Sequence, residues 1–359
     1  MTEGILLAAT LFFVLISLLP HWDNPVWWVR VWEFPRLQAS AALLVLLAAQ
    51  GLLLNFTQPW HFALPMLGLS CLAYQLWWIA PYTRLWPKEV QSAQADAHQP
   101  HIRVIAANVL APNRQASRLL ELVWRHQPDV LVTLETDHWW EAQLDGLAEH
   151  YPYSIRCPLE NLYGMHVFSR LPLEDPQLRF LVEADVPSMH ARVRVSDELS
   201  VRMHFLHPAP PSPTENAEST ERDVELLVVA KSLQDDHGPI IVTGDLNDVA
   251  WSPTTRLFRK ISGLLDPRVG RGMFNSFHAR LCFMRWPLDH FFHSAHFRLV
   301  SLTRLPRFGS DHFAMLIELQ YDPRHAATQQ GLEADRDDEQ LAREKTADEA
   351  ASAEDVPHP

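Results

Sequence analysis

Three long runs without a charged side chain open the sequence, at residues 4–20, 37–56 and 60–82, and they restrict what the rest of the chain can be. A helix needs roughly 20 apolar residues to cross about 30 Å of hydrocarbon. The second and third runs meet that length, and Trp22 extends the shorter first one. A signal peptide is the rival reading of the first run, but Thr2-Glu3-Gly4 is not basic and Leu18-Leu19-Pro20-His21 makes a poor cleavage site. Buried core helices are the other rival. Against both, Trp22, Trp27, Trp28, Trp32, Trp60, Trp77, Trp78 and Trp86 gather at the ends of the runs, where indole rings settle at a membrane interface. The lipid bilayer is thus the first expected partner.

Charge sets the expected orientation. With three crossings, the loop around 20–36 and everything after residue 82 share one side, which carries Arg30, Arg36, Arg84 and Lys88. The opposite side, residues 1–3 and 55–59, has no Lys or Arg. The positive-inside rule therefore predicts a multi-pass protein of the inner (plasma) membrane with its large C-terminal part cytoplasmic.

Beyond residue 83 the pattern changes. Residues 84–100 are polar and read as a linker. From 101 to 321 short β-branched runs alternate with helical periods. Strands are expected at 102–108, 129–135, 165–169, 191–195, 201–207, 240–245, 288–293 and 313–319, and helices at 118–126 and 222–233. That is an α/β sandwich of many strands with inserted helices. Residues 322–359 hold eleven acidic and four basic side chains and no aromatic one, and read as a disordered acidic tail. Three widely spaced cysteines give no zinc spacing and no disulfide framework. The net charge of −13 excludes a dedicated, globally basic nucleic-acid binder.

Five apolar runs end in, or lead into, acceptors: residues 102–107 at Asn108, 130–134 at Glu135, Phe205-Leu206 at His207, 240–244 at Asp245 with Asn247 beyond, and Asp311-His312 before an apolar run. Buried acceptors without partners are costly, so such a set asks for an explanation. Hard oxygen ligands of this kind suit Mg²⁺ or Mn²⁺. Each feature alone also reads structurally: Asn108 as a turn cap, Glu135 and Asp311-His312 as ion pairs, Gly244-Asp245-Leu246-Asn247-Asp248 as a tight turn.

Their order carries more. Arg103-Val104-Ile105-Ala106-Ala107-Asn108, Pro128-Asp129 through Leu134-Glu135, Phe168-Ser169-Arg170-Leu171-Pro172, His204-Phe205-Leu206-His207, Gly244-Asp245-Leu246-Asn247, Leu288-Asp289-His290 and Ser310-Asp311-His312 stand in the order of the motifs of the endonuclease/exonuclease/phosphatase family. Over residues 102–319 the chain resembles a membrane-anchored, bacterial-type member of that DNase I-like family. The resemblance implies a four-layer α/β sandwich of two packed mixed sheets with flanking helices. It also implies a Mg²⁺- or Mn²⁺-dependent hydrolase of phosphodiesters. In that reading Asn108, Glu135 and Asp311 hold the metal. His312 is a general base or a phosphate-binding cation held by Asp289, Asp245 orients or deprotonates the attacking water, Asn247 donates to the phosphoryl oxygens, and His207 contacts phosphate or assists the leaving group. Leu134 departs from the family, where Gln is common before the glutamate.

Residues 256–307 carry ten Arg or Lys and two acidic residues, which predicts a basic rim, with Arg285 the member expected on substrate. Three functions remain open at this stage: a nuclease-like enzyme on nucleic acid, a phospholipid or inositol/sphingomyelin-type phosphodiesterase or phosphatase at the membrane, and an inactive phosphate-binding scaffold. No protein partner is inferred.

Overall fold

The computed structural model describes residues 1–93, 99–347 and 351–359. Its N-terminal part contains three helices long and apolar enough to cross a membrane, spanning Thr2–His21, Arg36–Leu53 and Trp60–Tyr82. The α-helices within them are α1 (Thr2–Leu18), α3 (Arg36–Leu53) and α4 (Trp60–Ile79), with a single short turn, α2 (Trp27–Arg30), between the first two. Leu11, Leu15, Leu44, Val45, Leu52, Met66 and Trp77 point outward from the bundle. Inside it, polar side chains pair across helices: Gln50 Nε2 donates to Thr10 Oγ1 at 2.8 Å and Gln75 Nε2 to Ser17 Oγ at 3.0 Å. Leu43, Leu46, Leu64 and Leu72 fill the rest of the interior, so the bundle is apolar outside and inside, with a few paired polar groups in its core.

Two mixed sheets follow. The six-stranded sheet has the order β10-β11-β1-β2-β4-β3, built from β1 (His101–Asn108), β2 (Val130–Leu134), β3 (Tyr153–Cys157), β4 (Met165–Ser169), β10 (Phe297–Arg304) and β11 (Met315–Tyr321). The five-stranded sheet has the order β5-β6-β7-β8-β9, built from β5 (Leu173–Arg179), β6 (Ser188–Ser196), β7 (Leu199–Leu206), β8 (Ile240–Asp245) and β9 (Asp289–His293). Alternation of side chains divides each strand between two cores. Val104, Ala106, Val130 and Val132 meet Met189, Ala191, Met203 and Phe205 between the sheets. Ile105, Ala107 and Leu131 face outward against α5 (Ala116–His126) and α6 (His138–Leu144). Val242 and Phe292 do the same against α7 (Thr220–Leu233) and α8 (Pro253–Ser262). The four-layer sandwich expected from the sequence is therefore present.

Three segments differ from the sequence reading. The part of the expected linker up to residue 93 is not a loose tether. Val90 is fully buried, Glu89 pairs with Arg259 at 2.5 Å, and Ala93 N donates to Leu299 O at 2.8 Å. Residues 94–98 of that linker lie outside the described residues. The expected disordered tail contains α9 (Arg336–Thr346), which Asp335 and Asp338 start with a reciprocal capping box. Ala342 is buried against α7 and α8, Lys260 pairs with Asp338 at 2.5 Å, and Arg202 Nη2 donates to Pro357 O at 3.0 Å. One small apolar stripe and a few specific charges hold a segment whose overall composition is polar. Residues 348–350 of the tail lie outside the described residues. Finally, the segment joining α1 to α3 docks on the sandwich: Trp27 N donates to Ala217 O (3.0 Å), Ser219 N to Pro25 O (2.8 Å) and Trp251 Nε1 to Glu33 O (2.8 Å).

Candidate active site

Strand direction explains why the strand-end acceptors meet. β1 runs parallel to β2, and β7 parallel to β8, so Asn108, Glu135, His207 and Asp245 all leave the same end of the sandwich. β9 and β11 run antiparallel to β8 and β1, so their starts, at Asp289 and just after Asp311-His312, lie at that same end. Asp245 and Asp289 are direct register partners. Gly244 permits the close approach of β7 here, because a Cβ at that position would lie 1.9 Å from Leu206 O. Glu135 and Asn247 sit just past their strands with φ of +58° and +50°, a conformation non-glycine residues rarely adopt and one that clusters at functional sites.

The side chains form one network. His312 inserts between two carboxylates, with Nδ1 2.8 Å from Asp289 Oδ2 and Nε2 3.4 Å from Asp245 Oδ2. Serving both requires a proton on each ring nitrogen. Burial opposes that charge, but Asp289 and Asp245 outweigh it and hold the imidazolium pKa at about 10. Burial likewise works against the Asp245 carboxylate, yet His312, then His207 and the hydrogen bonds from Asn247 N and Asn108, keep its pKa below the usual value. Asp289 is pushed up by burial, against the pull of His312. His207 is buried and driven down to about 4, so it is neutral at physiological pH. Its Nδ1 has no hydrogen-bond partner among the described residues.

Asn108 bridges the two halves of the site. Its Nδ2 donates to Glu135 Oε1 at 2.7 Å and Asp245 Oδ2 at 3.1 Å, while its Oδ1 accepts from Leu110 N at 3.0 Å. As oriented, its amide nitrogen rather than its oxygen faces the centre. Burial pushes the Glu135 carboxyl up to about 7, against Asn108 and His312 and with help from Asp311 and Asp245. Glu135 Oε2 is buried and has no partner among the described residues. The orphaned oxygen of Glu135, with Asp311 on the same cleft, makes an all-oxygen donor set that fits a hard divalent cation. Asp245, Asp289 and His312 also bring ligating atoms within 4.8 Å of one another, but there the imidazolium already supplies the cation.

The site floors a cleft of about 370 Å³. Glu135, His207, Asp245, Asn247, Asp311 and His312 line it, with Asn108 and Asp289 directly behind. Arg285 does not line it: its guanidinium donates to the carbonyls of His278 and Ala279 and lies over the Phe313 ring. Much of the expected basic rim is likewise engaged elsewhere, with Arg259 paired to Glu89 and Arg268 to Asp266. Sequence reasoning missed Tyr163, which hydrogen-bonds Glu215 at the cleft wall, and Phe277, whose ring lies 4.9 Å from that of His312. It also missed Arg222, which donates to Asn247 O at 2.9 Å, and the apolar wall of Trp27, Val31 and Phe34. The Trp clusters were visible but pointed only to an interface; nothing local linked them to the site.

The sequence pattern described as the Endonuclease/Exonuclease/phosphatase family matches residues 105–312. Among solved structures, an endonuclease/exonuclease/phosphatase from Beutenbergia cavernae superposes with a TM-score of 0.50 at 18% identity, over 62% of this chain and 72% of that one. D. rerio TDP2 complexed with a single-strand DNA product gives 0.51 at 14% identity, over 62% and 99%. An endonuclease/exonuclease/phosphatase from Bacteroides vulgatus gives 0.50 at 16% identity, over 62% and 99%. At these identities the likeness is one of fold. No curated protein matches the chain.

Proposed function

This chain belongs to the endonuclease/exonuclease/phosphatase family, whose members hydrolyse phosphoester bonds and are generally divalent-metal dependent, and we propose that it is a membrane-anchored phosphodiester hydrolase using Mg²⁺ or Mn²⁺. The observation that carries this reading is the convergence, at one sheet end, of an imidazolium clamped by two carboxylates and a separate buried carboxylate with a free oxygen.

Glu135 and Asp311 would hold the metal; Asn108, whose Oδ1 accepts from Leu110 N, would join them only with its amide turned over and here positions Glu135 instead. When bound, a divalent cation supplies charge neutralisation at the phosphoryl oxygens. The chain's own residues do the rest. Asp245, kept ionised by the His312 imidazolium, accepts a proton from the attacking water. The water oxygen bonds to phosphorus as the bond to the leaving oxygen breaks, and the displaced alkoxide takes up one proton, giving a phosphomonoester and an alcohol. The His312 imidazolium, fixed between Asp289 and Asp245, brings a buried positive charge to the phosphoryl group as negative charge develops there. Asn247 gives one amide hydrogen to Pro208 O at 3.0 Å and keeps the second for a phosphoryl oxygen. Neutral His207 offers an uncharged contact to the leaving oxygen.

The contacts between the α1–α3 segment and the sandwich support α3 and α4 crossing as a pair, since both contacting parts must lie on one side of the bilayer. With the four basic residues on that side, the catalytic domain is read as cytoplasmic. The test uses the full chain in non-phospholipid detergent with a chromogenic phosphodiester and Mn²⁺. Hydrolysis abolished by EDTA and by His312→Ala is expected. Activity that persists in either control would overturn the mechanism.

A further inference from the structure

The wall of the catalytic cleft is not built from the sandwich alone. Trp27, Val31 and Phe34 close one side of it, and they belong to the short segment between α1 and α3, two helices that are long and apolar enough to cross a membrane. That segment therefore sits at the level of the bilayer surface. Phe277 lines the cleft as well, and the loop that follows it exposes Leu281, Phe283 and Met284 to solvent, Phe283 at 65%. Gln38 Nε2, in the first turns of α3, donates to Phe283 O at 2.9 Å, so this loop is tied to the point where α3 enters the membrane. A contiguous apolar group exposed at that level is stable only when it rests in the interfacial region. Just behind it, Phe277 reaches from this loop region to the His312 ring.

Resting on the phosphoesterase reading above, we infer that the substrate is a membrane lipid whose phosphodiester is cleaved while its apolar body stays in the bilayer. It enters between the 27–34 segment and the 281–284 loop. The charge-bearing floor receives the phosphodiester and Trp27, Val31 and Phe34 take the adjoining apolar carbons. Nucleic acid is disfavoured by the same features. Its dense negative charge would have to approach an anionic membrane surface and lie on an apolar wall, and the sandwich carries 22 basic against 27 acidic residues between 101 and 320. The reaction consumes one water: an oxygen–phosphorus bond forms, one ester bond breaks, and lipid phosphodiester becomes a phosphomonoester and an alcohol.

The experiment compares three probes with the full chain in non-phospholipid micelles and Mn²⁺: long-chain phosphatidylglycerol, its water-soluble short-chain counterpart with the same phosphodiester, and a single-stranded oligonucleotide. The long-chain lipid is expected to react fastest. Phe283→Ser and Trp27→Ser are each expected to lower the long-chain to short-chain rate ratio about tenfold, the change that losing contact with about two methylene groups produces. Thermal melting of each variant checks that it is folded. Hydrolysis of the short-chain ester or the oligonucleotide, dependent on His312, at rates equal to or above the long-chain lipid would overturn this inference and leave the phosphoesterase reading standing. No hydrolysis of any probe by a folded protein would overturn both.

Discussion

Replacing Asp289 by Asn keeps the shape at the back of the site and removes one of the two charges that hold the His312 proton. The His312 Nδ1–Asp289 Oδ2 separation is 2.8 Å and both groups are buried. Taking charge centres about 4 Å apart and an effective dielectric of about 20, the lost attraction is about 4 kcal/mol, equivalent to about three pH units. The His312 pKa, held at about 10 in the native protein, then falls to roughly 7. The sign for stability follows. A raised imidazolium pKa stabilises the fold fully below the ordinary value of 6.5, and the contribution is lost as pH climbs toward about 10. Asp289→Asn should remove most of that alkaline range of stability. Two assays read the effect: the basic limb of kcat/KM against pH on a soluble phosphodiester, and the ring resonances of His312 by NMR. The limb should move from about 10 to about 7, so that at pH 9 the variant is about a hundredfold slower. A basic limb that stays in place in Asp289→Asn would refute the assignment of His312 as the catalytic cation.

Other consequences are equally direct. Glu135→Gln should abolish the stabilisation by Mn²⁺ seen in thermal melts, while raising stability in EDTA at pH 8 by about 2–3 kcal/mol. The native carboxyl, pushed up to about 7, penalises folding increasingly as pH rises from 4.5 through that value. Glu225, buried in α7 and driven up to about 8 by burial and by Glu183, predicts that Glu225→Gln is more stable than the native chain above pH 8, again by chemical melting. Arg30 pairs with Glu33 at 3.1 Å, both buried, so Arg30→Met should cost about 3–5 kcal/mol by leaving that acid without its nearest cation, as read by chemical melting. Double substitution with Glu33→Leu should recover part of that loss.

The gathering of strand-end acceptors was legible from their order along the chain rather than from any one of them. A polar group closing an apolar strand, as at Asn108, Glu135 and Asp245, is unusual in three to eight residues of sequence. Parallel and antiparallel pairing then gathers these ends automatically. The helix α8 was equally legible in retrospect: Ser252 caps it by accepting from Thr255 N, Pro253 starts it and Gly263 ends it in a left-handed conformation. What stayed hidden depends on distant partners. Arg285 is basic and near the site in sequence, yet the Phe313 ring and two carbonyls fix it away from the cleft. β5, with Pro176 and mostly exposed side chains, lacks the apolar alternation that marks a half-buried strand. The helix in the tail stayed hidden because an average over composition ignores the single face carrying Leu341 and Ala342. Nothing near Trp27 or Phe34 foretells that they wall a cleft whose floor lies more than a hundred positions further on.

The ion pair between Arg30 and Asp223 joins positions 193 residues apart. At a synthesis rate of about 5–20 residues per second, Arg30 leaves the ribosome roughly 10–40 seconds before the acid that neutralises it. In the membrane-anchored reading proposed above, the guanidinium, with Glu33 beside it, stays hydrated at the headgroup level throughout that interval while α1, α3 and α4 insert. The sandwich then closes over a charge already fixed at the membrane, and the catalytic half matures with the bilayer as a template.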